Sequence, residues 1–170
     1  MRERIARIKL VLFDVDGVLT DGRIYIDNNG VESKAFDVKD GHGLKMLQRS
    51  GFLVGLITGR QSQIVEHRAR ELGIDLIFQG VKEKLPVFEK IAGELQFKDG
   101  EIAYMGDDLV DLPVLRRVGF SATVADACEV VKAEVDFVAC HRGGRGAVRE
   151  FCELLLKESG RWAEVVARYF

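Results

Sequence analysis

Short apolar runs, rich in Val, Ile, Leu and Phe and almost free of polar alternation, recur along the 170-residue chain: Ile8 to Phe13, Leu53 to Ile57, Leu76 to Phe78, Ile102 to Met105 and Phe120 to Val124, with Asp136 to Ala139 a candidate sixth. Strands written this way are covered on both faces, as a parallel sheet requires. Segments of helical length separate them, and that alternation reads as α/β. Asp40 is placed to cap a helix through Leu47 that stops near Gly51, and Ser62 to start one that ends at Leu72 before Gly73. Lys82 to Leu95 and Leu109 to Val118 complete the layer, with Pro86 and Pro113 near helix starts, where a missing N–H is tolerated. Ala147 to Lys157 and Arg161 to Phe170 read as terminal helices, the stripe Trp162, Val165, Val166 and Tyr169 as a packing or subunit contact.

One segment departs from this pattern. "RIYIDNNGVESKAF", residues 23 to 36, alternates apolar and polar around Asn29-Gly30, the strongest short-range hairpin signal. A hairpin of that length is marginal in water by itself, so it is expected to pack on the body of the chain or on another subunit. At this size one domain is expected. A net charge of −2 gives no field to gather nucleic acid or an acidic membrane. Cys128, Cys140 and Cys152 are odd in number and widely spaced, which argues against a disulfide framework or zinc site and for small core residues. His42, His67 and His141 have no ligand spacing. The basic start "MRERIARIKL" lacks an apolar region and no run reaches membrane-spanning length, so a reducing cytoplasm is expected.

The chemistry is signalled where the strands stop. "LFDVDGVLTDG" carries Asp14 and Asp16 directly after the first run, with Asp21 beyond, and in an open α/β sheet the ligand crevice lies outside the carboxyl ends of the strands. Two carboxylates about 4 Å apart repel by roughly 4 kcal/mol at an effective dielectric of about 20, so a cation is wanted. "IAYMGDDLVDLP" sets Asp107, Asp108 and Asp111 after another run, Asp108 and Asp111 three apart on an expected helix face. If the two strands are neighbours, Asp14, Asp16 and Asp107 offer the hard oxygen ligands that suit Mg²⁺. Thr58 follows "LVGLI" with Gly59 and Arg60 read as opening the next helix, whose first amides suit an anion. Lys84 stands in the first turn of the helix after it, where a cation opposes the dipole and a negative partner, such as a phosphate, is expected.

Those residues, in that order, resemble the haloacid dehalogenase superfamily of phosphohydrolases: DxDG at Asp14 to Gly17, the Thr motif at Thr58, the Lys motif at Lys84 and GDDxxD at Gly106 to Asp111. With "KAFDVKDGHGLK", "ITGR", "QGVKEK" and "GGRGAVRE" the chain resembles, more narrowly, the family of phosphatases acting on 3-deoxy-D-manno-octulosonate 8-phosphate, a precursor in lipopolysaccharide biosynthesis. Nonulosonate 9-phosphate phosphatases share much of this run. The resemblance implies a Rossmann-like three-layer sandwich around a parallel sheet and an aspartyl-phosphate mechanism. Asp14 would be nucleophile and Asp16 acid and base. Thr58 and Lys84 would cradle the phosphoryl group. Mg²⁺, or its relatives Mn²⁺ and Co²⁺, would be held by Asp14, Asp16 (through its backbone carbonyl) and Asp107, with Asp108 and Asp111 orienting the shell.

The resemblance further implies substrate contacts at Asp16, Asp37, Val38, Lys39, Asp40, Gly41, Lys45, Thr58, Gly59, Arg60, Arg68, Lys84 and Arg145, the last in the basic stretch from residue 141 to 150 that in the family reaches toward an active site, in cis or in trans. Arg60 and Arg68, eight apart, are read as sharing a helix face. Only 40 residues, Val18 to Ile57, separate the first motif from the second, too few for a full cap domain. The hairpin is the substitute, and in the resembled family such flaps assemble a homotetramer. Two other classes compete: a receiver-type phosphoacceptor, whose acceptor stands on a different strand from its acid pair, and a binding-only descendant, which would be expected to have lost a motif.

Overall fold

The computed structural model describes the whole chain, Met1–Phe170. In chain order the elements are α1 (Arg2–Ile5), β1 (Leu10–Phe13), β2 (Tyr25–Ile26), β3 (Glu32–Ser33), α2 (Val38–Arg49), β4 (Leu53–Ile57), α3 (Gln63–Leu72), β5 (Leu76–Phe78), α4 (Lys84–Leu95), β6 (Ile102–Met105), α5 (Leu112–Leu115), β7 (Phe120–Thr123), α6 (Glu129–Lys132), β8 (Phe137–Val138), α7 (Ala147–Glu158) and α8 (Trp162–Val166). Six strands form one sheet, ordered β5-β4-β1-β6-β7-β8 and parallel throughout. β2 and β3 pair with each other alone, antiparallel.

The alternation of side chains along a strand explains the three layers. In β1, Val11 and Phe13 enter a core shared with Leu44 of α2 and Phe151 and Leu155 of α7. Leu10 and Leu12 enter a second core with Phe88 and Ile91 of α4 and Val114 of α5. Every residue of β1 is therefore buried, which is why its sequence shows no polar alternation.

β1 is the strand at which the order reverses. The chain builds outward to β4 and β5, then returns to place β6 on β1's other edge. Phe13 pairs in register with Leu56 and with Met105, so the residues that follow these strands leave the sheet at one level. Ligands of open α/β sheets bind at such a point.

The flap is built differently. Asp27 accepts from the Gly30 N–H at 3.0 Å to close the turn, and its side chain accepts from the Asn29 and Val31 N–H groups, with Gly30 at φ +78°. Ile24, Tyr25, Ile26 and Val31 stay exposed.

Several boundaries differ from the sequence reading. Asp37, not Asp40, caps α2, accepting from the Lys39 and Asp40 N–H groups. Asp40 is buried and caps α7 instead, accepting from Gly146 N–H at 3.2 Å and Arg149 N–H at 2.7 Å. Burial raises its carboxyl pKa. The expected helix from Leu109 begins as a 3-10 turn, with α5 only from Leu112, because Asp108 and Asp111 satisfy the turn's N–H groups. Cys140 is exposed; only Cys152 is a fully buried cysteine. Tyr169 folds back so that its hydroxyl lies 2.8 Å from His42 Nε2 and 3.0 Å from Arg49 Nη1, making the terminal stripe a contact within the chain.

Candidate active site

Asp14 follows β1, its N–H bonded to the Met105 carbonyl at 2.9 Å. Lys84, the first residue of α4, reaches under it: Nζ lies 3.0 Å from Asp14 Oδ1, donates to Asp111 Oδ1 at 2.6 Å and stands 3.3 Å from the Tyr104 hydroxyl. Tyr104 in turn donates to Asp111 Oδ1 at 2.5 Å. Asp111 is fully buried, and its Oδ2 accepts from the N–H groups of Asp107 and Asp108, so every side of that carboxylate is engaged. Burial alone would lower the Lys84 pKa, but the charges of Asp14 and Asp111 outweigh it and raise it. The helix dipole that disfavours a cation at this position is thus countered by two carboxylates of the protein itself.

One atom in this cluster is left over. Asp14 Oδ1 is buried without a hydrogen-bond partner, since Lys84 approaches it at ion-pair distance but outside hydrogen-bond geometry. Oxygens of Asp14, Asp107 and Asp111 lie within 4.8 Å of one another. With Asp111 engaged, Asp14 and Asp107 are the carboxylates free to bind a cation. Burial, opposed by Lys84, pushes the Asp14 carboxyl up to about 7. Burial and the charges of Asp14 and Asp111 push Asp107 up to about 8. Gly17, at φ +94°, makes room for this: a Cβ there would stand 2.0 Å from Asp107 Oδ2. Hard oxygen donors, a buried orphaned lone pair and mutually repelling carboxylates together fit a divalent ion such as Mg²⁺.

The cleft above holds about 440 Å³ and is lined by Asp14, Asp16, Thr58, Gly59, Arg60, Lys84, Asp107 and Asp108, together with Gly22, Val81, Lys82 and Val110, which the sequence did not mark. The carboxylates of Asp16 and Asp108 point elsewhere than the metal-sized cluster. Asp108 Oδ1 accepts from its neighbour Leu109 N–H, and Asp16 Oδ1 pairs with Lys34 of the flap. Thr58 is buried at the end of β4, its N–H bonded to the Phe78 carbonyl. Gly59 and Arg60 do not open α3, which starts three residues later behind Ser62. They form a loop laid against residues 79 to 81, with Gly80 N–H donating to the Arg60 carbonyl and Val81 N–H to that of Thr58.

Arg60 and Arg68 therefore share no helix face. Arg60 Nη2 donates to Glu32 of the flap at 2.9 Å, whereas Arg68 pairs with Glu71 and lies over the Phe36 ring. Asp37, Asp40, Gly41 and Arg68 surround a small apolar hollow beneath the flap instead of the cleft. Val38 and Lys39 are exposed at the start of α2, and Lys45 reaches toward Gly73, below the cleft at the far end of α3. Within this chain none of these seven lines the cleft.

The glycine-rich stretch packs in cis on the loop behind Asp14. Gly144 N–H donates to the Val18 carbonyl, Gly143 N–H to Asp126, and a Cβ on Gly143 would fall 1.7 Å from the Gly17 carbonyl oxygen. Arg145 itself is exposed, and its charge helps to lower the Asp21 pKa behind the larger effect of the Arg23 N–H.

No protein-family model matches the chain. It is 46% identical over 154 residues, 91% of its length and 82% of the relative's, to a 3-deoxy-D-manno-octulosonate 8-phosphate phosphatase of Yersinia pestis. The enzyme of that name from Moraxella catarrhalis, solved with magnesium, phosphate and the free sugar acid, superposes with a TM-score of 0.97 at 42% identity, covering 99% of this chain and 97% of that one. A cobalt-bound deoxy-D-mannose-octulosonate 8-phosphate phosphatase from Haemophilus influenzae gives 0.89 at 42% identity, covering 92% of each.

Proposed function

The chain belongs to the 3-deoxy-D-manno-octulosonate 8-phosphate phosphatases of the haloacid dehalogenase superfamily, and we propose that it hydrolyses that phosphomonoester to the free eight-carbon sugar acid and phosphate. The observation that carries the reading is the convergence on one cleft of Asp14, Thr58 and Asp107, just past β1, β4 and β6, with Lys84 at the start of α4.

In this mechanism Asp14 attacks phosphorus, forming an aspartyl phosphate as the bond to the sugar's C8 oxygen breaks, and Asp16 gives that oxygen a proton. Asp16 then takes a proton from the water that attacks the acyl phosphate, which frees Asp14 and releases phosphate. One difficult displacement becomes two easier ones. Lys84, already 3.0 Å from Asp14, and Thr58 cradle the transferring group, whose charge is the main demand. A divalent ion, Mg²⁺ or a relative such as Co²⁺, held by Asp14, Asp107 and the Asp16 carbonyl, supplies further neutralisation of that charge when bound. Arg60, beside Asp16 at the cleft, is suited to the sugar acid's carboxylate.

The flap's exposed Ile24, Tyr25, Ile26 and Val31 support assembly into a homotetramer, in which Lys39, Lys45, Arg68 and Arg145 serve a neighbour's substrate. No helix is long and apolar enough to cross a membrane, and the work proposed is cytoplasmic, on a precursor of lipopolysaccharide. The test is phosphate release across a panel of sugar phosphates, including the eight- and nine-carbon acids, with and without chelator. The eight-carbon acid should give the highest kcat/KM and chelator should stop turnover. A better nine-carbon substrate would reassign the sugar, and a single stoichiometric phosphorylation without turnover would favour a phosphoacceptor instead.

A further inference from the structure

The phosphoryl chemistry above leaves one buried cation unused. Lys34 follows β3 in the flap, and although its backbone is partly exposed its side chain is wholly covered. Nζ donates to Asp16 Oδ1 and lies 3.1 Å from Glu32 Oε1. Glu32 Oε2 accepts from Arg60 Nη2 at 2.9 Å, and Arg60 Nε stands 3.9 Å from Asp16 Oδ2. Two cations and two carboxylates close a ring, with Lys34 and Glu32 from the flap and Asp16 and Arg60 from the cleft wall. An exposed ion pair drifts among rotamers and is worth little. A covered lysine cannot drift without losing its compensation, so it fixes its carboxylate partners in turn.

We propose that Lys34 is the positioning residue for Asp16, holding the acid–base carboxylate toward the leaving oxygen, so that the flap is part of the proton-transfer machinery as well as a cover. The inference rests on the reading of Asp16 as acid and base. Glu32 lies in β3 and Lys34 just past its end, and their side chains meet at 3.1 Å, which lets a single hairpin grip both Arg60 and Asp16.

The test is a double-mutant cycle on kcat and KM with 3-deoxy-D-manno-octulosonate 8-phosphate, each variant first shown to be folded by its thermal melt. Lys34→Met should lower kcat by about 10²-fold, the loss that accompanies a misplaced catalytic group, with KM changed less than about threefold. Lys34→Arg, which keeps the charge and a donor, should recover at least about tenfold of that loss. In an Asp16→Asn background the same Lys34→Met change should alter kcat by less than about twofold, because a group acting only through Asp16 then has nothing left to position. Equal losses in both backgrounds, or a Lys34→Met enzyme with normal kcat, would overturn the proposal. An Asp16→Asn enzyme with a normal rate would remove the acid–base reading itself, and the proposal with it. Should Lys34→Met fail to fold, Lys34→Gln takes its place with the same expected pattern.

Discussion

Two lysines in this molecule each bridge a pair of carboxylates, and their settings differ. Lys84 joins Asp14 and Asp111 at the root of α4, on strand ends locked by register and by two cores. Lys34 joins Asp16 and Glu32 on a hairpin whose strands are two residues long and whose apolar side chains face outward. The first arrangement is rigid because its elements cannot move without opening the sheet. The second can open at the cost of a hairpin alone, and segments that admit substrate come from that low-stability end. In the mechanism proposed above, phosphoryl transfer falls to the rigid pair and proton transfer to the movable one.

The largest effect that would break this comparison is at Asp14, the proposed nucleophile. Asp14→Asn should reduce turnover by at least about 10⁴-fold while leaving the far-ultraviolet circular dichroism unchanged, as loss of a covalent nucleophile does; a variant within tenfold of the wild-type rate would remove Asp14 from that role. Next comes stability. Lys84→Met strands two buried carboxylates and should cost about 3–5 kcal/mol in urea denaturation, whereas Lys34→Met, opposed only by the flap, should cost less than about 1 kcal/mol of global stability. Similar losses for both would mean that the flap is as firmly held as the sheet.

Arg60→Ala should lower kcat/KM for the sugar acid phosphate by about 10–10²-fold, the worth of a charged hydrogen bond, and spare p-nitrophenyl phosphate. An equal loss on both substrates would place Arg60 on the phosphoryl group.

The smallest effect is on pH dependence. In metal-free protein Asp14 and Asp107 keep protons up to about 7 and about 8, against an ordinary 3.8, so between those limits the folded chain binds more protons than the unfolded one. Their contribution is therefore full at low pH and is lost as pH rises through the folded values. The chelated protein should melt several degrees lower at about pH 8 than at about pH 6, and Mg²⁺ should remove the difference, because the ion replaces the protons. A chelated protein whose melting temperature is level across that window would argue against a strained acidic pair.

The rigid pair was legible and the movable one was not. Parallel strands announce themselves by unbroken apolar runs, and whatever follows such a run is delivered to one edge, so Asp14, Thr58, Lys84 and Asp107 could be grouped before any contact was known. Lys34 sits in polar alternation, where a lysine reads as solvated. The signal available was its spacing of two from Glu32. Tyr104 read as strand filling, and its hydroxyl on Asp111 depends on a helix twenty residues earlier. Asp40 read as the cap of α2, but Asp37 fills that place, and tertiary packing turns Asp40 toward α7, more than a hundred residues away. The sharing of a face by Arg60 and Arg68 failed because α3 starts behind Ser62, as the cap residue indicated, and that leaves Arg60 in the loop ahead of it.

Gly143 seats the loop behind Asp14 with a clearance that no side chain could share. During synthesis Asp14 emerges early, but the support beneath it arrives only near the end, when Gly143, Gly144 and α7 dock. A nascent chain is therefore expected to stay inert toward phosphate esters until Gly143 has been made, and loss of the chain from Gly143 onward to silence a cleft that none of those residues lines within this chain.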